Sequence, residues 1–217
     1  MTPPPAPSRL LLATRSADKA REIRQILQAA GAAVELRSLD EGHVHWSEEE
    51  ERLERFDSFE ANARAKAEYF ARLTGLPVVA DDSGLEVLSL GGAPGVRSKR
   101  FAPQSGKLTG QALDAANNAE LLRRLLGADE KRRRACYVCV ALLVRRPGAA
   151  PEAFTGRCWG RILADPRGTG GFGYDPLFFH EGLGKTFGEA TAEEKHAVSH
   201  RGEAFRELAA ALARHPL

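Results

Sequence analysis

Pro77-Val78-Val79-Ala80-Asp81-Asp82-Ser83-Gly84 reads as a short buried strand, Pro77 to Ala80, that delivers two adjacent carboxylates to a loop. The Gly-rich stretch that follows, Gly84 to Gly95, is expected to be loop or hairpin, which leaves the acids at a strand's end. Magnesium takes hard oxygen ligands and keeps several waters, so one or two carboxylates plus substrate phosphates make a sufficient site. Neighbouring acids point in different directions, so one can hold metal while the other acts as general base on a water. The plainer reading of such a pair is a turn or helix cap.

Upstream, a strand over Arg9 to Thr14 runs into a helical pattern over Asp18 to Ala30, with Ser16 as cap and Gly31 as stop. A strand feeding a helix start offers backbone N–H groups, a favourable dipole and, through Lys19, a cation, so Thr14 to Lys19 suits a phosphate. Val34 to Ser38 reads as a second strand, and the acidic stretch Asp40 to Glu54 has no period and reads as loop or mobile arm. A longer helix follows, from about Asp57 to Thr74, with Phe59, Ala63, Phe70 and Leu73 on its apolar side. Asn62 and Lys66 share another face of that helix, which is either a solvated stripe or a phosphate contact.

Downstream, a helix from about Thr109 to Leu126 leads through the basic run Lys131 to Arg134 into strands Arg134 to Arg145 and Glu152 to Leu163, a potential antiparallel hairpin. A strand-like Leu177 to His180 and helical patterns over Ala192 to Ala197 and Ser199 to Arg214 complete the chain. Strands and helices mixed without strict alternation predict an α/β fold with a partly antiparallel sheet.

Composition narrows the partners. Hydrophobic residues make up 43% and charged residues 28%, which suits one globular domain. A net charge of +2 gives no general attraction to nucleic acid or membranes. The apolar run Ala135 to Val144 is half of what a membrane helix needs, and Leu10 to Ala13 is too short for a signal-peptide core. A cytoplasmic protein is expected, with a disordered Pro-rich tail over residues 1–8 and a single domain over 9–217. An odd count of 3 cysteines argues against a disulfide framework, and Cys136-x-x-Cys139 alone is weak for zinc.

Two glycine motifs fail on context. Gly168-Thr169-Gly170-Gly171-Phe172-Gly173 matches G-x-G-x-x-G, but Tyr174-Asp175-Pro176 follows where a helix should open. Gly184-Lys185-Thr186 ends like a P-loop, yet Phe179 stands where its first glycine is required. Lys131 to Arg134 lacks the interleaved rings of a single-strand binder and reads as a solvated turn. His43 and His45 have no metal-ligand spacing. Phe172 or Tyr174 offers a ring to stack on a base, and Lys195, Ser199, His200 and Arg201 concentrate donors near a helix start.

Taken in order, these segments resemble the inosine triphosphate pyrophosphatase family from about residue 10 to 213. Leu12-Ala13-Thr14-x-x-x-x-Lys19 is similar to its phosphate-binding unit, and Phe59-x-x-Asn62-Ala63-x-x-Lys66 to its second lysine motif. Ala80 to Leu85, followed by Leu90 to Val96 and Ser98-x-Arg100-Phe101, resembles its metal and catalytic segment. Gly168 to Phe178 resembles its base-recognition loop, and Glu194-Lys195 with Ser199 to Gly202 its purine contact.

The resemblance implies an elongated α/β fold with a mixed sheet flanked by helices, two lobes around a central nucleotide-binding cleft, a homodimer, and dependence on Mg2+. It implies hydrolysis of ITP, dITP and XTP to monophosphate and pyrophosphate. Asp82 would be the general base, and Asp81, Glu54 and Asp82 itself the metal ligands. Thr14, Ser16, Lys19, Lys66, Ser83, Phe172, Gly173, Tyr174, Asp175, Lys195, His200 and Arg201 would contact substrate. Arg15-Ser16 departs from the family's usual Gly-Asn, and a serine hydroxyl cannot supply both an amide donor and a carbonyl acceptor. A pyrophosphatase for other nucleotides and an RNA-binding module are the rival readings.

Overall fold

The computed structural model describes residues 8–217; the tail expected over 1–8 therefore lies outside the described residues except for Ser8, which opens the first strand. In chain order the elements are β1 (Ser8–Leu12), α1 (Ala17–Ala29), β2 (Val34–Ser38), α2 (Phe59–Thr74), β3 (Val78–Val87) and α3 (Gly110–Arg124). They continue with β4 (Arg134–Val144), β5 (Glu152–Ile162), β6 (Phe178–His180), β7 (Lys185–Thr186), α4 (Ala192–Val198) and α5 (His200–Arg214). Among the described residues one 7-stranded sheet runs β2-β1-β3-β4-β5-β6-β7. It is mixed: β1 pairs in parallel with β2 and β3, while β6 pairs antiparallel with β5 and β7. The expected mixed α/β sheet with helices is therefore the observed one. No helix of the described residues is long and apolar enough to cross a membrane.

The described residues divide into two compact units, the first comprising those up to 82, 140–155 and 204–217 and the second 83–139 and 156–203. In the first, Leu10, Leu11 and Leu12 of β1, Ile23 of α1 and Val78 and Val79 of β3 are all buried. Helix α2 is framed by local chemistry: Ser58 caps its start by accepting from the Ala61 N–H, and Gly75 closes it in a left-handed conformation. Its buried side carries Phe59, Ala63, Ala67 and Phe70, whereas Leu73, expected there, is exposed in the last turn. In the second unit a core gathers Leu85, Val87, Leu121, Tyr137, Phe178 and Phe187. Each such side chain contributes on the order of 1.5–3 kcal/mol by leaving water.

The expectation for β3 is corrected. The strand does not end at Ala80 but continues through Ser83 and Gly84 to Val87, so Asp81 and Asp82 lie within it. Leu85 and Val87 are fully buried, and β3 is an interior strand between β1 and β4, so sheet pairing overrides the local loop signal. The other motif rejections hold, since Gly168 to Pro176 forms bends and a turn and Lys185–Thr186 is a short strand. Arg133, in the basic run, donates to the carbonyls of Ala128, Leu163 and Leu125. The cysteines are free and buried.

Candidate functional site

Strand alternation separates the two acids in the first unit. Successive side chains of a strand leave opposite faces, and Asp81 meets α1 while Asp82 meets α2. The Lys19 Nζ lies 3.0 Å from Asp81 Oδ2, with the Asp81 side chain wholly buried. Asn62 Nδ2 donates to Asp82 Oδ2 at 2.9 Å. One turn along α2, Lys66 Nζ donates to the Asp81 carbonyl and to Glu54 Oε1, both at 2.6 Å, and lies 3.8 Å from Asp82 Oδ1. The stripe formed by Asn62 and Lys66 is thus buried, not solvated.

These contacts set the electrostatics. Burial opposes the charge of Lys66, but Glu54, Asp82 and Asp81 together outweigh it and hold its pKa above the ordinary lysine value. Burial also pushes the Asp82 carboxyl upward, against the pull of Lys66 and Lys19. A carboxylate raised in this way is a better proton acceptor than a solvated one. Asn62 was the residue a site list drawn from sequence left out, although its i, i+4 relation to Lys66 marks it. Besides holding Asp82, it exchanges two hydrogen bonds with the backbone of Phe56, close to Glu54.

Ahead of α1, Thr14 Oγ1 accepts from the Ser16 N–H and Ser16 Oγ accepts from the Lys19 N–H, so the serine is the helix cap. Arg15 turns away to the acidic stretch. Its guanidinium donates to both Glu50 oxygens, to Asp40 and to the Val44 carbonyl. That stretch is partly ordered as a 3-10 helix over Glu48–Arg52. Among the described residues no three His, Cys, Asp or Glu side chains form a self-contained metal cage.

The second unit brings together the residues of the glycine-rich loop and the start of α5. Asp175 Oδ2 accepts from the Phe172 N–H at 2.8 Å and from Lys195 Nζ at 2.5 Å, and Tyr137 donates to its other oxygen. Gly171 has φ +70°, and a Cβ there would meet Asp175 Oδ2 at 2.0 Å, so this turn requires glycine. The His200 ring stacks on Tyr137 with centroids 4.6 Å apart and planes at 6°. Arg201 donates to Ser83 Oγ at 2.8 Å. Lys195 Nζ and the Arg201 guanidinium lie 5.0 and 5.6 Å from the Phe172 ring centroid, within cation–π range.

The two rings that sequence could not separate are distinguished here. Tyr174 is buried in the core and donates to the Ser98 carbonyl, and burial drives its phenol pKa up. Phe172 stays partly exposed beside the cations. The backbone of Gly173 is held by Asp114 and Asn118 of α3, residues that a reading of motifs passed over.

With this arrangement in view, the chain matches the Ham1 family over residues 10–211. It belongs to that family. A relative from Frankia alni, named dITP/XTP pyrophosphatase, is 47% identical over 206 residues, covering 94% of this chain and 96% of its own. One of the same designation from Geobacter sulfurreducens is 45% identical over 197 residues, covering 91% and 92%. Among solved structures, a HAM1 protein from Coxiella burnetii superposes with a TM-score of 0.81 at 35% identity, covering 95% of this chain and 99% of that one. A nucleoside-triphosphatase / dITP/XTP pyrophosphatase from Mycobacterium abscessus gives 0.68 at 38%, covering 96% and 100%. The Ham1 match spans both groups of residues described above.

Proposed function

We infer that the chain is a hydrolase that converts non-standard purine nucleoside triphosphates, ITP, dITP and XTP, to the monophosphate and pyrophosphate. The observation that carries this reading is the buried Asp82, held by Asn62 and flanked by Lys66 and Lys19. Burial raises its proton affinity against the pull of the two lysines, and those cations are suited to polyphosphate.

Asp82, with Asp81 or Glu54, would supply the hard oxygen donors that suit Mg2+, which needs only one or two carboxylates when phosphates complete its shell. When bound, the ion neutralises phosphate charge and lowers the pKa of a coordinated water. Asp82 orients the attacking water and accepts its proton; the new bond forms at the α-phosphorus, the bond to the bridging oxygen breaks, and pyrophosphate leaves. Lys19 and Lys66 stabilise the charge that develops on the phosphates. Thr14 and the capped start of α1 bind the phosphate chain.

Base reading falls to the second unit. Hypoxanthine and xanthine offer an acceptor at position 6 and a donor at N1, the reverse of adenine. Arg201 and Lys195 supply donors, and Phe172 a face for stacking, with His200, Ser83 and Asp175 supporting them. Guanine shares both groups, so its rejection must come from contact with its 2-amino group. Residues 9–217 act as one catalytic domain, in a homodimer and in the cytoplasm, with neither nucleic acid nor membrane as partner. With ITP and Mg2+, product analysis is expected to yield IMP and pyrophosphate in one step, with ATP and GTP turned over far more slowly. IDP and orthophosphate as first products would overturn the reading.

A further inference from the structure

We propose that Asp114 and Asn118 are positioning residues that set purine selectivity by gripping Gly173 in the base-reading loop. The Gly173 N–H donates to Asp114 Oδ2 at 2.8 Å, and Asn118 Nδ2 donates to the Gly173 carbonyl at 3.0 Å. Their i, i+4 spacing puts both side chains on one face of α3, so a single helical turn takes both backbone polar groups of one residue. Gly173 has φ +64° and no side chain, which leaves its backbone as the only handle for fixing the turn. The carboxylate acceptor makes the first of these bonds charge-assisted, hence stronger than a neutral pair.

The helix that does the gripping is itself anchored. Asn117 accepts from the N–H groups of Phe101 and Ala102 and donates to the Lys99 carbonyl, and Leu121 is fully buried. Inside the loop Asp175 holds the Phe172 N–H and Lys195. The turn is therefore fixed twice, by its own acid and by α3, with the Phe172 ring pre-set beside Lys195 and Arg201. Because the Gly173 amide is committed to Asp114, discrimination rests on side chains whose placement depends on the grip. A loop ordered in advance does not spend binding energy on being ordered. The proposal rests on reading Phe172, Lys195 and Arg201 as the base contact.

The test is steady-state turnover of ITP and ATP by the full-length protein and four variants. Asp114→Ala and Asn118→Ala should each lower the ITP-to-ATP ratio of kcat/KM by roughly tenfold, the scale of one lost hydrogen bond. The loss should lie mainly in KM for ITP, with kcat at saturation nearly kept. Asp114→Asn retains an acceptor oxygen and should keep most of the ratio, and Asn118→Ala carries the test if Asp114→Ala does not fold. Asn117→Ala should lower Tm and leave the ratio unchanged, which separates positioning from general support of α3. An unchanged ratio in both alanine variants, or equal losses for ITP and ATP, overturns the proposal. A wild type with no preference for ITP defeats the base-reading assignment and the grip with it, whereas a selective wild type with unaltered variants defeats the grip alone.

Discussion

The two units solve different problems with different chemistry. In the first, acids and cations are paired: Lys19 with the buried Asp81, and the buried Lys66 with Glu54 and Asp82. In the second, rings and backbone bonds dominate: His200 on Tyr137, Lys195 and Arg201 beside Phe172, and Gly173 held by α3. On the proposed reading, this nest of charge would exchange partners when a metal and phosphates arrive, with no preference for the base. On the same reading, the frame of rings and donors would contact the flat base and not the phosphates. The division teaches that rate and selectivity should respond to separate substitutions.

Lys66→Met should have the largest effect. It leaves the buried Asp82 and the half-buried Glu54 without their shared cation, and removing one partner of a buried pair such as Asp82–Lys66 costs about 3–5 kcal/mol. Denaturant unfolding should show that loss, while residual kcat/KM falls equally for ITP and ATP; a changed ratio would break the comparison. Next, Asp82→Asn should lower kcat by about 10²-fold or more for both nucleotides, with ITP still bound. Near-normal turnover in that variant would remove Asp82 from its role.

Arg201→Ala probes the other unit. The ITP-to-ATP ratio of kcat/KM should fall by roughly ten- to a hundredfold, about 1–3 kcal/mol at ~1.4 kcal/mol per tenfold, because the 6-amino group of ATP gains nothing from Arg201. An Arg201 that serves phosphates would weaken both nucleotides and leave the ratio as it was.

The smallest effect lies away from both groups of residues. Arg123 and Arg124 hold the Glu120 carboxyl down to about 2. Since the folded value is below the unfolded one, this stabilisation is present above the ordinary glutamate range and is lost as pH falls toward 2. Helix pairs of this kind contribute ~0.3–0.5 kcal/mol each. Glu120→Gln should therefore lower Tm slightly at pH 7, with the gap to wild type closing in acid and turnover unaffected.

Much of the fold was legible because its signals are local. Ser16, Ser58 and Gly75 announce helix ends through bonds to their own neighbours, and the strand expected over Arg134 to Arg145 is observed over Arg134–Val144. The motif residues Lys19, Lys66, Asp81 and Asp82 were likewise recognisable, and the structure brings them within bonding distance.

What the sequence by itself determined was which residue types stand ready for phosphate, metal and base. Only the tertiary structure decided which of them meet. Ser83-Gly84 signals a loop, yet pairing within the sheet carries β3 through it, because strand structure depends on neighbours far along the chain. Phe172 and Tyr174 are equivalent as letters, and packing alone sends Tyr174 into the core. Asn62 reaches across 20 residues to Asp82, and Asp114 across 59 to Gly173. A hydrogen bond between residues so distant leaves no local period or composition to read, since its geometry exists only once the elements carrying both partners have packed.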